Sequence, residues 1–456
     1  MSVTPTEIDE PTGWEPGRER EAPPGRRSAV RLAVLGSACA LAVVTYLHRV
    51  GFASASSELQ ASLRLNGRQT GALMAAFMVA YGLFEIPWGR LADRLGVRSV
   101  LTAVVLGGSA ATALVALAGM LPLGASAIFA LVLALRFLFG ALQAGTFPAV
   151  SRMMADWMPV AERGGAQGLI WMSSRLGGAL APLLIGGLIG LTGGWTRALL
   201  VASGLGLLWC AAFRPWFRDR PEDMPRVNDA ERAWILSGRA ARPAGHGAVP
   251  WRAMLESRSA WALCLMYGCL GYSGNFFLTL LPSYLRNQRG LDAQTERLLT
   301  TLPFVCGVGA CLVGGVLSDA IIGRHGRRWG RRLVGAAGLG LAGLAILATT
   351  QVSDVAALGV LLCLTFIGND LAMGPAWAAA ADIGERHAGT LSGAMNMIAS
   401  FTAAAMAMIT GALFDAGRPV VPFVIFAIVY ALGALCWLGV DVTRPLADPE
   451  AATTSV

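Results

Sequence analysis

Gly89-Arg90-Leu91-Ala92-Asp93-Arg94-Leu95-Gly96, with Arg98 just beyond, is the stretch whose reading decides the fold. It packs three arginines and an aspartate into a chain that is only 14% charged and 55% hydrophobic. Apolar blocks flank it at 70–88 and 98–119. Each is close to the roughly 20 residues that a helix needs to cross a bilayer. The same Gly-x-Leu-x-Asp frame returns at Gly315-Val316-Leu317-Ser318-Asp319, again after an apolar block. A short charged hinge recurring at equivalent places in two halves is the mark of a duplicated membrane bundle.

Working outward from the hinge, apolar blocks lie at 31–53, 70–88, 98–119, 127–149, 164–190, 195–215, 260–284, 297–317, 332–350, 355–378, 389–413 and 420–440. Lipid leaves only helices or closed barrels as spanning structures. Blocks this long exclude the alternating strands of a barrel. The expectation is an all-α membrane protein with twelve transmembrane helices in two pseudo-symmetric six-helix bundles. Residues 1–28, rich in Pro, Glu and Arg, read as a disordered tail without a cleavable leader. The first bundle takes 29–215 and the second 258–441. A polar segment at 216–257 reads as a solvated linker, with Asn228 as the cap of a short helix, and 442–456 reads as a tail.

A soluble domain carries about 25% charged residues, so the hydropathy overrides the several soluble domains that length alone would suggest. The 56 glycines suit close helix packing in lipid. All basic charge is arginine, since the chain has no lysine. With the N-terminus inside, 26 of the 36 arginines fall in cytoplasmic segments, 7 outside and 3 at membrane depth. Both termini are therefore expected in the cytoplasm, with the chain in the inner membrane. Arginines confined to short loops argue against nucleic-acid binding. The eight cysteines sit in apolar blocks without metal-ligand spacing, so neither a metal nor a disulfide framework is expected.

The block Gly89–Arg98 resembles the loop motif of the major facilitator superfamily. Finer resemblance, over nearly the whole spanning region, is to its anion:cation symporter branch. It rests on Tyr46-Leu47-His48-Arg49, on Arg136-Phe137-Leu138-Phe139-Gly140-Ala141-Leu142-Gln143 with Ala144-Gly145-Thr146-Phe147-Pro148, and on Trp157-Met158-Pro159 with Glu162-Arg163. Gly374-Pro375-Ala376-Trp377 and Asp382-Ile383-Gly384 add to it. The resemblance implies the major facilitator fold and a monomeric carrier without cofactor, moving small organic anions such as sugar acids, coupled to protons. In that branch acids stand where this chain has His48 and Gln143, so the usual proton route does not carry over. An uncoupled exchanger or exporter therefore stays open, as does a non-transporting sensor of the same fold. No phosphate loop, zinc spacing or nucleophile motif points to an enzyme.

Charge at membrane depth is costly and marks function. Three arginines bear that cost, Arg49, Arg136 and Arg175, against two acids, Glu85 and Asp370. An excess of buried cations calls for an anionic ligand, and the planar guanidinium fork suits carboxylates. The candidates for substrate contact are Arg49, Arg175, Arg136, Tyr46, Gln143, Tyr81, Asn275 and Asn396. The arginines could equally be structural partners of the acids. His48, Asp370 and Glu85 are the titratable candidates for coupling, with Glu85 otherwise an interfacial partner for a loop arginine. Gly89, Asp93, Arg94, Gly96, Arg98 and Asp319 are read as a conformational latch. Asp93 would sit at a helix N-terminus, and the arginines would pair across the seam between halves.

Overall fold

The computed structural model describes residues 26–65, 67–237 and 251–446. The expectations placed on 1–25, 238–250 and 447–456 lie outside these residues. Among the described residues the structure is helical throughout, without strands. The long helices are α1 (Val30–Ser54), α2 (Gly67–Leu95), α3 (Val97–Ala118), α4 (Ala125–Gln143), α5 (Thr146–Trp157), α6 (Arg163–Thr192) and α7 (Trp195–Trp216). After the linker come α8 (Arg258–Thr279), α9 (Ala293–Ala348), α10 (Val355–Leu371), α11 (Met373–Gly384), α12 (Ala388–Asp415) and α13 (Val421–Gly439). Nine continuous helical stretches among the described residues are long and apolar enough to cross a membrane. The bent pair Arg258–Thr279 and Leu281–Gln288, turned by 55°, makes a tenth.

Two of these stretches are far longer than one crossing. At 1.5 Å per residue the 56 residues of α9 would extend roughly 84 Å, more than twice the ~30 Å hydrocarbon core. The helical path of α9 breaks at Gly326, where φ is 79°. The stretch Val355–Asp415 is interrupted at Glu385–His387, where Glu385 has φ 43°. The sequence reading placed loops around Gly89–Arg98 and after Asp319. Instead the helices run on through both motifs, and each reversal is made near one glycine at positive φ, Gly96 (84°) and Gly326 (79°). Glycine takes that conformation without a Cβ clash, so a hinge needs almost no loop.

The two halves use one packing scheme. In the first, α1 packs on α6, α2 on α4, and α3 on α7. In the second, α8 packs on α12, α9 on α10, and the later part of α9 on α13. The halves meet through α2 against α12 and α6 against α9, with α5 and α11 filling between. These crossings need glycine. A Cβ on Gly89 would stand on the Gly389 carbonyl, and one on Gly315 on that of Gly164.

The described stretch 216–237 of the linker is docked, which corrects the expectation of a solvated segment there. Phe217 and Ile235 are fully buried, and Trp234 Nε1 donates to Glu162 at 3.0 Å. Asn228 does cap the short helix Asp229–Leu236, accepting from the Glu231 amide at 2.9 Å. Glu231 in turn accepts from the amides of Val30 and Arg31, at 2.9 and 3.1 Å, and so caps α1. Such anchoring satisfies amides that a helix start otherwise leaves open. The linker, the start of α1, the Gly96 and Gly326 turns and residues 440–446 all join at one end of the bundle, called here the terminal end.

Candidate functional site

A cleft of about 770 Å³ opens between the halves, well away from the terminal end along the helices. Six of the eight expected contact residues line it: Tyr46, Arg49, Tyr81, Arg175, Asn275 and Asn396. They come from α1, α2 and α6 on one side and from α8 and α12 on the other. Both halves thus build one site.

Arg49 dominates the charge of this cleft. Its guanidinium lies 4.4 Å from the Tyr81 ring centroid and 5.2 Å from those of Tyr46 and Phe77. Aromatic faces stabilise a cation without neutralising it. Its Nε and Nη2 are out of contact with water and have no hydrogen-bond partner among the described residues. A guanidinium left with open donors in a low-dielectric cavity is prepared for an anion.

Arg175 is held differently. Its Nε and Nη2 grip the two oxygens of Asp370, at 3.0 and 2.9 Å, a two-pronged bridge from α6 to α10. Asp370 is fully buried. Asn369 donates to it at 3.0 Å, and Tyr430 donates to Asn369 at 3.1 Å. Glu85 is also fully buried and lies deep in the bundle, not at the interfacial position considered for it. Asn396 Nδ2 donates to one Glu85 oxygen, and Ser400 Oγ lies 3.4 Å from the other. Glu85 therefore bridges α2 to α12.

Besides Glu85 and Asp370, three expected residues do not line the cleft. Arg136 lies 3.9 Å over the Phe52 ring and near Phe77 and Phe139, and does not line the cleft. Gln143 is buried among helices. His48 faces α7, where its Nε2 meets the Ala202 carbonyl at 2.8 Å. Arg136 and His48 sit on helix faces turned into the first half, which block boundaries alone cannot distinguish from the cleft face. The sequence reading also missed the aromatic floor. Trp171 stacks on Phe147 at 4.7 Å and lies 5.3 Å from Trp377, whose Nε1 donates to Tyr267 at 2.9 Å. The available signal was large hydrogen-bonding aromatics in mid-span positions.

Between the floor and the terminal end the halves are locked by exchanged caps. Asp93 accepts from the Gly389 amide at 3.0 Å and from the Thr390 amide and hydroxyl at 2.7 and 2.5 Å, at the start of α12. Asp319, its counterpart in the repeat, accepts from the Gly164 and Gly165 amides at 3.0 and 2.5 Å, at the start of α6. Each aspartate thus caps a helix of the other half, where the dipole favours negative charge. The arginines expected to close the seam do not. Arg98 donates to the Arg214 carbonyl within its own half, at 2.9 and 2.7 Å, and Arg94 is exposed with no ion pair among the described residues. Arg163 crosses it to Asp382 at 2.7 Å, and Arg331, paired with Asp382 and Asp319 of its own half at 3.3 and 2.6 Å, crosses it by donating to the Val160 carbonyl at 3.3 Å. Their guanidiniums reach across because α5, α6, α9 and α11 converge here, whereas Arg94 points outward on the last turn of α2.

Comparisons with known proteins agree with this architecture. Residues 38–406 match the family described as Major Facilitator Superfamily. The chain is 32% identical over 428 residues to the probable sulfoacetate transporter SauU of Cupriavidus necator, covering 93% of this chain and 97% of that one. It is 27% identical over 419 residues to a probable L-galactonate transporter of Escherichia coli, covering 90% and 88%. It is 24% identical over 384 residues to the hexuronate transporter of Bacillus subtilis, covering 82% and 85%. Among solved structures, the proton:xylose symporter XylE superimposes with a TM-score of 0.72 at 14% identity, over 94% of this chain and all of that one. The human organic anion transporter MFSD10 gives 0.63 at 16%, over 89% and 99%. The chain is thus an integral membrane protein of the Major Facilitator Superfamily and belongs to the branch that holds the sulfoacetate, galactonate and hexuronate transporters.

Proposed function

We propose that this protein carries small organic anions across the inner membrane by alternating access, as a monomer, with uptake coupled to protons. The observation that carries the reading is Arg49, with two buried donors open in a cleft that both halves build. The relatives named for sulfoacetate, galactonate and hexuronate support a carboxylate or sulfonate with hydroxyls. Tyr46, Tyr81, Asn275 and Asn396 supply hydroxyl and amide groups for such a ligand. Counting α9 as two crossings, α4 with α5 as one, the bent α8 as one, and α10 to α12 as two gives twelve spans. They divide into the bundles 29–215 and 258–441. The arginine excess then sets the terminal end in the cytoplasm. The lock at that end makes this conformer the one closed toward the cytoplasm.

His48 is turned from the cleft and Gln143 has no ionisable proton, so coupling falls to Glu85 and Asp370. The test is uptake of radiolabelled sulfoacetate and L-galactonate by proteoliposomes, with and without an inward proton gradient. The gradient is expected to accelerate accumulation. Absence of saturable uptake across a sugar-acid and sulfonate panel would overturn the carrier reading. The departures at His48 and Gln143 favour one second reading, an anion exchanger. Equal exchange rates at all proton gradients would establish it.

The lock has its own expected result. Asp93→Asn should slow turnover several-fold while leaving substrate affinity nearly unchanged, because Asp93 is remote from the cleft and acts at the start of α12. Steady-state uptake and equilibrium binding, measured side by side, separate the two. A large loss of affinity at unchanged turnover would sink the assignment.

A further inference from the structure

Arg175 and Asp370 form an ion pair between the halves, in the wall of the cleft rather than at its terminal end. The fork geometry, Nε to one oxygen and Nη2 to the other, is how a guanidinium would hold a substrate carboxylate. Asp370 therefore occupies a place that a ligand could take. Arg175 lines the cleft, whereas Asp370 is buried behind it. Tyr46, Arg49 and Arg175 all line the cleft from the first half, so the two guanidiniums share one wall of it. The other polar groups facing the pair are Asn369 on α10, Cys311 on α9, Tyr267 on α8 and Tyr430 on α13. Tyrosine and cysteine side chains are ordinarily neutral near pH 7, so these leave Asp370 as the sole recorded counter-charge to Arg175 among the described residues.

We infer that Arg175 is a second anion subsite, closed by Asp370 and opened by a proton, which makes the carrier selective for small dianions. This rests on the anion-carrier reading above. A proton from the outer solution binds an Asp370 oxygen, an O–H bond forms, and the carboxylate loses its charge. The fork of Arg175 then takes the second acidic group of a substrate whose first is on Arg49. After release inside, Asp370 gives up the proton and pairs with Arg175 again, which resets the empty carrier. A monoanion needs Arg49 alone and gains no second contact when Asp370 is protonated. The ligand class is two carboxylates, or a carboxylate and a sulfonate, on a short chain.

The test compares ligands that differ by one acidic group: galactarate with galactonate, and sulfoacetate with isethionate. Equilibrium binding to the full-length purified protein is measured from acidic to alkaline pH. The dianion-to-monoanion affinity ratio should rise about tenfold on acidification, the scale of one charge-assisted contact. Asp370→Asn should hold that ratio at its acid value throughout, and Arg175→Gln should abolish the preference. A purely structural pair would lower stability in both variants without moving the ratio. Should Asp370→Asn fail to fold, the double variant Asp370→Asn with Arg175→Gln removes both charges and must show a flat ratio without dianion preference. A wild-type ratio insensitive to pH, or an unchanged pH dependence in Asp370→Asn, overturns the subsite alone. No binding of any of the four ligands overturns the carrier reading and this inference with it.

Discussion

Replacing Arg49 with alanine is expected to reduce transport by about 100-fold or more, with the protein still folded and inserted. The magnitude follows from losing a two-pronged, charge-assisted contact, at roughly 1.5–3 kcal/mol per hydrogen bond to a charged group. The fold should survive for a structural reason. Arg49 Nε and Nη2 have no partner among the described residues, and no recorded carboxylate depends on the side chain for an ion pair. Removing it breaks no ion pair, although buried Glu85 loses a nearby positive charge, whereas removal of Arg175 or Arg163 does break one. Arg49→Lys is the sharper variant. Lysine keeps the charge but offers a point ammonium where the fork presented two parallel donors, so it should remain severely impaired. Uptake kinetics in proteoliposomes, normalised to inserted protein, measure both. Near-normal uptake by the lysine variant would show that the contact is simple charge attraction, not a fork on two oxygens.

The fold was legible in this sequence because lipid removes most alternatives. Once twelve apolar blocks and a repeated Gly-x-Leu-x-Asp frame are seen, helices packed in two related halves are nearly forced. Block ends were less readable. The sequence reading stopped a helix at 88, but the helix continues to Leu95. Charged residues at a membrane surface are compatible with helix, and only the positive φ at Gly96 ends it. The cleft was partly legible. Arg49, Arg175, Glu85 and Asp370 stand out because charge is rare at depth, but which face each helix presents is set by packing. That is why His48, next to Arg49 in the chain, and Arg136, on α4, turn into the first half. The lock was misread for a different reason. The motif arginines nearest Asp93 in sequence are not nearest to it in space, and the closing cations Arg163 and Arg331 are supplied by segments far along the chain. A linear motif shows that a hinge exists, not which residues cross it.

Asp382→Ala should shift the conformational equilibrium further than any substitution in the motif itself. Asp382 is fully buried at the centre of the lock. It meets Arg163 of the first half at 2.7 Å and Arg331 of its own half at 3.3 Å, and both guanidiniums are buried as well. Removing one member of such a group costs about 3–5 kcal/mol, because the remaining charge stays out of water. The lower end applies here, since Arg331 keeps Asp319 at 2.6 Å. That cost falls on the conformer closed at the terminal end. When this end opens, both arginines reach water and the penalty vanishes. The closed conformer is therefore disfavoured by about 3 kcal/mol relative to the open one, a factor of roughly 100 in population. Spin-label distances across the terminal end of the full-length carrier should move from short to long, and uptake should fall because the cleft seldom faces outward. Asp382→Glu keeps the charge and should return much of the short-distance population. If the alanine variant keeps the wild-type distance distribution, the Arg163–Asp382–Arg331 group does not hold the halves together. Closure would then rest on the exchanged caps of Asp93 and Asp319.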